Sequence, residues 1–233
     1  MKIFYISPHF DDAIGSCGGK IYQDILNKND VAIITIFSKT KTPYSDYAKS
    51  LHEYWNLKNP INDRNRENEN ACQILNAKII NLNYLDAIYR THNNNYLYPE
   101  DGDIFKDINN YDYNLKELIE EDLLKKIDKD SILYFPLSVG NHVDHIITYQ
   151  VGLALKKKGY KVVFYKDNFY EGQLPEECQK LKKFEIIMDD DMLLKKCESV
   201  SRYTSQINML FGGEDKIKEY YEAKLKRREE YYE

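Results

Sequence analysis

Cysteine is scarce in this chain: Cys17, Cys72, Cys178 and Cys197 are its four, with no Cys-x-x-Cys spacing. That excludes a disulfide framework and points to reduced thiols in a cytoplasmic protein. No apolar run approaches the ~18 residues that would cross a bilayer. Met1-Lys2 leads straight into strand-like sequence, with no charged n-region, long h-region or small-residue cleavage site of a secretory leader. Nor is there a basic block interleaved with aromatics: the net charge is −5, which argues against a nucleic-acid partner. No internal repeat or linker divides the 233 residues, so a single domain over 1–233 is expected. What abounds is tyrosine, 21 of them beside many Asn, Lys and Ile, read here as a bias towards AT-rich codons.

Apolar runs alternate with helical patterns. Ile3 to Ser7, Val31 to Phe37, Ile79 to Leu82, Ser131 to Pro136 and Val162 to Tyr165 have the composition of buried parallel strands. Between them, 13–27, 64–75, 115–127 and 145–158 carry helical spacing, the last stopped by Gly159. Residues 40–62 read as a loop with a helical piece and 87–113 as a long loop shaping a site. Beyond them are expected a strand at 184–188, one helix around 192–210, and a charged terminal helix from Asp215. Within it, 224–233 is expected to be solvated. The fold class is therefore α/β, a Rossmann-like, mostly parallel sheet with helices on both faces and its ligands at the carboxyl ends of strands.

Two polar clusters follow strand ends. Ser7-Pro8-His9-Phe10-Asp11-Asp12 closes the first strand, and Gly140-Asn141-His142-Val143-Asp144-His145 follows the run ending at Pro136. Imidazole and carboxylate are zinc ligands, and a catalytic zinc takes three of them plus a water. The first cluster offers His9 with Asp11 or Asp12, the second His142 or His145. His9 and Asp12, three apart, can converge as the chain turns, leaving Asp11 free as a general base. The histidine that does not bind the ion can face the reacting carbonyl and stabilise its oxyanion. The bland alternative is a helix cap at Asp12 and a surface His-x-x-His. His52 and His92 lie in polar stretches and suggest no metal role.

At these residues the sequence resembles the LmbE-like, or PIG-L-like, zinc-dependent N-acetylglucosaminyl deacetylases. The first motif, continued by Gly15 and Cys17-Gly18-Gly19, has Phe10 where that family usually has proline. The second motif keeps its polar residues. Weaker likenesses follow in order: Arg64 and Glu67 on a helix with Asn76 where a glycine often stands, Leu82 to Asp86, Phe164 to Asp167, and Tyr203 to Gln206. The resemblance implies zinc on His9, Asp12 and His145, although nitrogen and oxygen ligands also accept iron(II) or another divalent ion. It further implies Asp11 as general base, His142 as oxyanion helper and Asp144 as an orienting residue. The reaction implied is attack of the metal-activated water on the acetyl amide of an N-acetylglucosamine-type sugar.

Arg64, Asp86, Arg90 and Asp167 are the expected substrate contacts. Arg64 could instead be a structural salt bridge, Asp86 a turn cap and Arg90 a solvated charge. Tyr203 and Gln206 suit packing better. The partner expected is a small N-acetyl sugar, with self-association into a homo-oligomer left open. Two rival functions stand beside this one. One is another metal-assisted amide or ester hydrolase; the other is a non-catalytic sugar- or nucleotide-binding module. The second lacks the Gly-x-Gly-x-x-Gly spacing it would need, since Gly15-Ser16-Cys17-Gly18-Gly19 does not supply it.

Overall fold

The apolar runs become the middle of a sheet. The computed structural model describes residues 1–233, the side chains of Glu177 and Gln179 excepted. In chain order its first half comprises β1 (Lys2–Ser7), α1 (Asp12–Leu26), β2 (Asp30–Thr35), α2 (Asp46–Tyr54), α3 (Pro60–Leu75) and β3 (Lys78–Asn81). A two-residue hairpin, β4 (Thr91–His92) and β5 (Asn95–Tyr96), interrupts the long loop. Then come α4 (Leu115–Leu124), β6 (Ile132–Pro136), α5 (Val143–Lys157), β7 (Lys161–Tyr165), β8 (Lys183–Ile187), α6 (Asp190–Val200), α7 (Ile207–Phe211) and β9 (Arg228–Tyr232).

Seven strands form one sheet in the order β3-β2-β1-β6-β7-β9-β8, parallel except for β9. Strands β1 and β2 are buried along almost their whole length, as parallel strands covered on both faces must be. One face is packed by α1, α3 and α6 through residues such as Ile14, Cys72 and Leu193; α4 and α5 cover the other through Leu123 and Val151. The fold is the expected α/β architecture. Asn76 stands at the C-cap of α3 with φ 60°, a left-handed position that glycine or asparagine tolerates best. The substitution seen in the sequence thus preserves the turn.

Two expectations about the C-terminal third fail. Residues 192–210 are not one helix: α6 ends at Val200, and the chain turns before α7. Glu67 captures that turn, accepting hydrogen bonds from Thr204 Oγ1, Ser205 N and Ser205 Oγ, each at 2.7 Å. Nor is 224–233 a solvated helix. Its last residues form β9, inserted antiparallel between β7 and β8. The glutamates there looked like surface charges, but Glu229 is fully buried and accepts from Gly19 N, Lys20 N, Lys196 Nζ and Tyr231 Oη at 2.7–2.9 Å. A buried carboxylate with four donors needs no water.

Neighbours β1 and β6 send their chains in opposite directions, β1 towards β2 and β3, β6 towards β7. Their carboxyl ends therefore flank a topological switch point, where open α/β sheets place ligands. Both polar clusters stand there.

Candidate active site

Past the end of β1 the chain turns tightly. Ser7 Oγ donates to the carbonyl of His9 and accepts from Ala13 N, while His9 N donates to Asp12 Oδ2 at 2.8 Å. These bonds fold His9 back over the first turn of α1, whose first residue is Asp12. Beyond β6 the route is more contorted: Ser138, Gly140 and Asn141 all have positive φ. Only glycine adopts such angles freely, and at 140 a Cβ would also meet the Tyr170 side chain at 2.6 Å. This turn delivers His142 to the N-cap of α5 and His145 to its first turn.

His9, Asp12 and His145 offer ligand atoms within 4.8 Å of one another, all buried. His9 Nδ1 and His145 Nε2 each lie 3.2 Å from Asp12 Oδ2. The other nitrogen of each ring is already engaged, His9 Nε2 with Asp144 Oδ2 at 3.0 Å and His145 Nδ1 with Asp167 Oδ1 at 2.7 Å. These bonds set the tautomers, leaving His9 Nδ1 and His145 Nε2 as lone-pair donors. His145 Nε2 is buried and has no hydrogen-bond partner among the described residues. A divalent cation fits that orphaned atom. Burial lowers the imidazolium of His145, but Asp12 and Asp167 outweigh it and raise its pKa to about 9. In His9 burial is likewise overcome, by Asp86, Asp12 and Asp144. Burial raises Asp12, yet His145 and His9 hold it well below the usual carboxylate range. Such a carboxylate-rich spot demands positive charge.

A second triad, His9 with His142 and Asp144, is equally compact. Its carboxylate is spent, however: Asp144 accepts from His9 Nε2, from Ala87 N at 3.1 Å and from Arg90 at 2.6 Å. His142 Nδ1 in turn accepts from Asp144 N at 3.2 Å. The proton of the neutral ring then resides on Nε2. Burial, and after it the neighbouring His9, lower the His142 pKa well below the ordinary value, so the ring stays neutral and offers one N–H. Asp11 is held differently. Burial raises its pKa, and Arg64, donating to Oδ1 at 3.0 Å, partly opposes the rise. A raised carboxylate pKa beside a metal site suits proton transfer.

His9, Asp11, Asp12, Arg64, Asp86 and His142 all line one cavity of about 480 Å³. Asp86 caps the short turn at Ala87–Tyr89 and stands 3.8 Å from His9 Nε2. Asp144 and His145 lie just behind them, fully buried. Two residues expected to touch substrate are placed elsewhere. Arg90 is 5% exposed, pinned between Asp144 and Asp112 and sandwiched by the rings of Phe37 and Tyr98. Asp167 spends both oxygens on His145 Nδ1 and Val139 N. Both stand behind the candidate ligands, Arg90 through Asp144 and Asp167 through His145. His52 and His92 pack on Tyr89 and Tyr111 respectively. Tyr203 donates to the carbonyl of Phe10 and to Asn68, a packing role, whereas Gln206 reaches the cavity lining.

Sequence reasoning missed the outer cavity. Tyr47 and Trp55 come from α2 and its end, Phe105 from the long loop, and Phe169, Tyr170 and Tyr220 from the C-terminal third. Aromatic residues in segments without periodicity give no signal of facing a common space. The hydroxyl of Tyr170 stays protonated, burial and the Asp12 and Asp11 carboxylates raising its pKa well above normal.

Comparison with known proteins agrees with this geometry. Residues 4–156 match the family model described as PIG-L, GlcNAc-PI de-N-acetylase. The 2'-N-acetylparomamine deacetylase of Niallia circulans is 25% identical over 231 residues, covering 92% of this chain and 84% of that protein. Teicoplanin deacetylase Orf2, known in a zinc-inhibited form, superposes with a TM-score of 0.83 at 24% identity, over 100% of this chain and 97% of the other. The A40926 pseudoaglycone deacetylase Dbv21 gives 0.77 at 24% identity, over 99% and 95%. At these identities the solved structures establish a shared fold.

Proposed function

The chain belongs to the PIG-L family of N-deacetylases, and we propose that it removes acetate from the amide of an N-acetylated amino sugar carried on a larger glycoside. The observation that carries this reading is the orphaned His145 Nε2 converging with His9 Nδ1 on Asp12, beside an Asp11 that lines the same cavity and is held by Arg64. His9, Asp12 and His145 hold the cation, zinc by the chemistry of two imidazoles and a carboxylate. When bound, zinc supplies Lewis-acid polarisation of the acetyl carbonyl and acidification of water.

The remaining work falls to side chains. Asp11 takes a proton from the attacking water, then delivers it to the departing amine, so that a free amine and acetate result. His142 Nε2–H donates to the oxygen on which negative charge develops, a neutral donor already oriented by its bond from Asp144 N. Arg64 holds Asp11 in place and opposes the rise that burial imposes on its pKa, while Asp86 faces the cavity as an acceptor for sugar hydroxyls. The names of the Niallia and teicoplanin deacetylases support an amino sugar within a glycoside as the substrate class. The test is acetate release from N-acetylglucosaminides by zinc-loaded protein. Release with Asp11→Ala inactive and still zinc-bound supports the assignment; release from simple acetyl esters but not from amides refutes it.

A further inference from the structure

Catalysis occupies only the floor of the cavity. The polar groups named above sit together there, and the volume of about 480 Å³ exceeds what a single amino-sugar ring needs. The rest is walled by apolar and aromatic side chains from four separate segments. Trp55 stands beside Arg64, whose guanidinium lies 5.5 Å from its ring. Phe105 presents its face or edge to His142 at 5.5 Å, with the rings nearly perpendicular. Tyr220 packs against Phe211, which also meets Phe169. At the mouth, Phe105 and Met209 are 45% and 44% exposed. Both side chains line the cavity, and neither belongs to the buried core that packs the sheet. Exposed apolar side chains lining a pocket with a few convergent polar groups mark a ligand contact.

Charge narrows the ligand further. The lining carboxylates are Asp11, Asp12, Asp86, Asp101 and Glu171. Arg64, Lys224 and the two charges of the cation leave the cavity one negative charge from neutral. Asp101 already accepts from Tyr47 Oη, and Glu171 pairs with Lys224. A phosphorylated aglycone would find no free arginine among the lining residues described, since Arg64 is paired with Asp11 and Lys224 with Glu171.

We infer that the aglycone of the natural substrate presents an uncharged, apolar face, aromatic in the simplest case, which lies against the wall formed by Trp55, Phe105 and Met209. This inference rests on the deacetylase reading and deepens it. Aglycone contacts made equally in ground state and transition state appear in KM with kcat unchanged.

The experiment compares acetate release from free N-acetylglucosamine, its 4-nitrophenyl β-glycoside, a polyamino pseudodisaccharide N-acetylglucosaminide and an inositol-phosphate N-acetylglucosaminide. The aryl glycoside is expected to have a kcat/KM at least about tenfold above the free sugar, mostly through KM, since burying an aromatic ring is favourable to that order. Phe105→Ala and Trp55→Ala should each shrink this ratio severalfold; the ratio is internal to each variant, so partial loss of folded protein does not alter it. Equal efficiency on all four, or preference for the polyamino or phosphorylated compound, overturns the apolar aglycone while leaving the deacetylase intact. Acetate from none of them overturns both.

Discussion

Arg90→Met separates two roles that one arginine near an active site can have. Arg90 contributes Nη1 to Asp144 Oδ1 at 2.6 Å and to the carbonyl of Leu85 at 3.2 Å, while its Nε lies 2.8 Å from Asp112. Asp144 is entirely buried, and its carboxyl, raised by burial, is pulled far down chiefly by Arg90. Methionine keeps much of the apolar volume between Phe37 and Tyr98 but strands a buried carboxylate. Breaking a buried ion pair from one side costs about 3–5 kcal/mol. In a domain of this length that corresponds to a loss of roughly 6–20 °C in Tm. The weakened Asp144 also grips His9 Nε2 less firmly, and loss of such an orienting partner lowers metal affinity ~10–100-fold. Zinc competition with a chromophoric chelator, run with thermal melts and steady-state kinetics at saturating zinc, reads all three. KM should stay near its normal value, because the guanidinium stands behind the cavity wall. A variant with intact zinc affinity and a KM raised tenfold would refute this reasoning and make Arg90 a substrate contact.

Asp11→Asn should retain zinc and lose about 10²–10⁴-fold in kcat, the usual contribution of a general base; normal turnover removes Asp11 from that role. Lys196→Met leaves Glu229 buried without its cation, bonded only to Gly19 N, Lys20 N and Tyr231 Oη. A destabilisation of about 3–5 kcal/mol is expected from denaturant unfolding. A variant as stable as the parent would show that β9 is held by other contacts. Burial raises the carboxyl of Glu230, but Lys183 and Lys166 hold its pKa below the usual value. Its folded pKa being depressed, it adds stability above the unfolded glutamate pKa, and this is lost as pH falls through the folded value. Glu230→Gln should therefore lower Tm slightly at pH 7 and progressively less as pH falls below the unfolded glutamate pKa; a shift that does not change with pH would contradict the ion pairing.

The sheet and the two candidate metal-binding clusters were readable because both depend on local pattern, while the choice of His9, Asp12 and His145 within them came from the family resemblance. β-branched runs with no polar face mark buried parallel strands, and His9 and Asp12 meet through one turn. The adjacency of β1 and β6 is not written in either strand and emerges only in the sheet order. Roles set by long-range partners were not legible. Arg90 and Asp167 carry charge near the motifs, yet only the fold reveals that Asp144, Asp112 and His145 consume it. Strand β9 hid for the same reason: Glu229 looks solvated until Lys196 and two amides of α1, far away in sequence, surround it. The aromatic wall comes from loops and helix ends with no period that could place Trp55, Phe105 and Tyr220 around one space.

The deacetylase chemistry depends on His9, Asp12 and His145 gripping one ion. Anomalous diffraction at the zinc edge, from crystals grown with zinc, tests it directly. A single strong peak is expected between His9 Nδ1, Asp12 and His145 Nε2, with His142 and Asp11 unliganded beside it. A peak between His9, His142 and Asp144 instead, or none near these residues at full zinc loading, would contradict it.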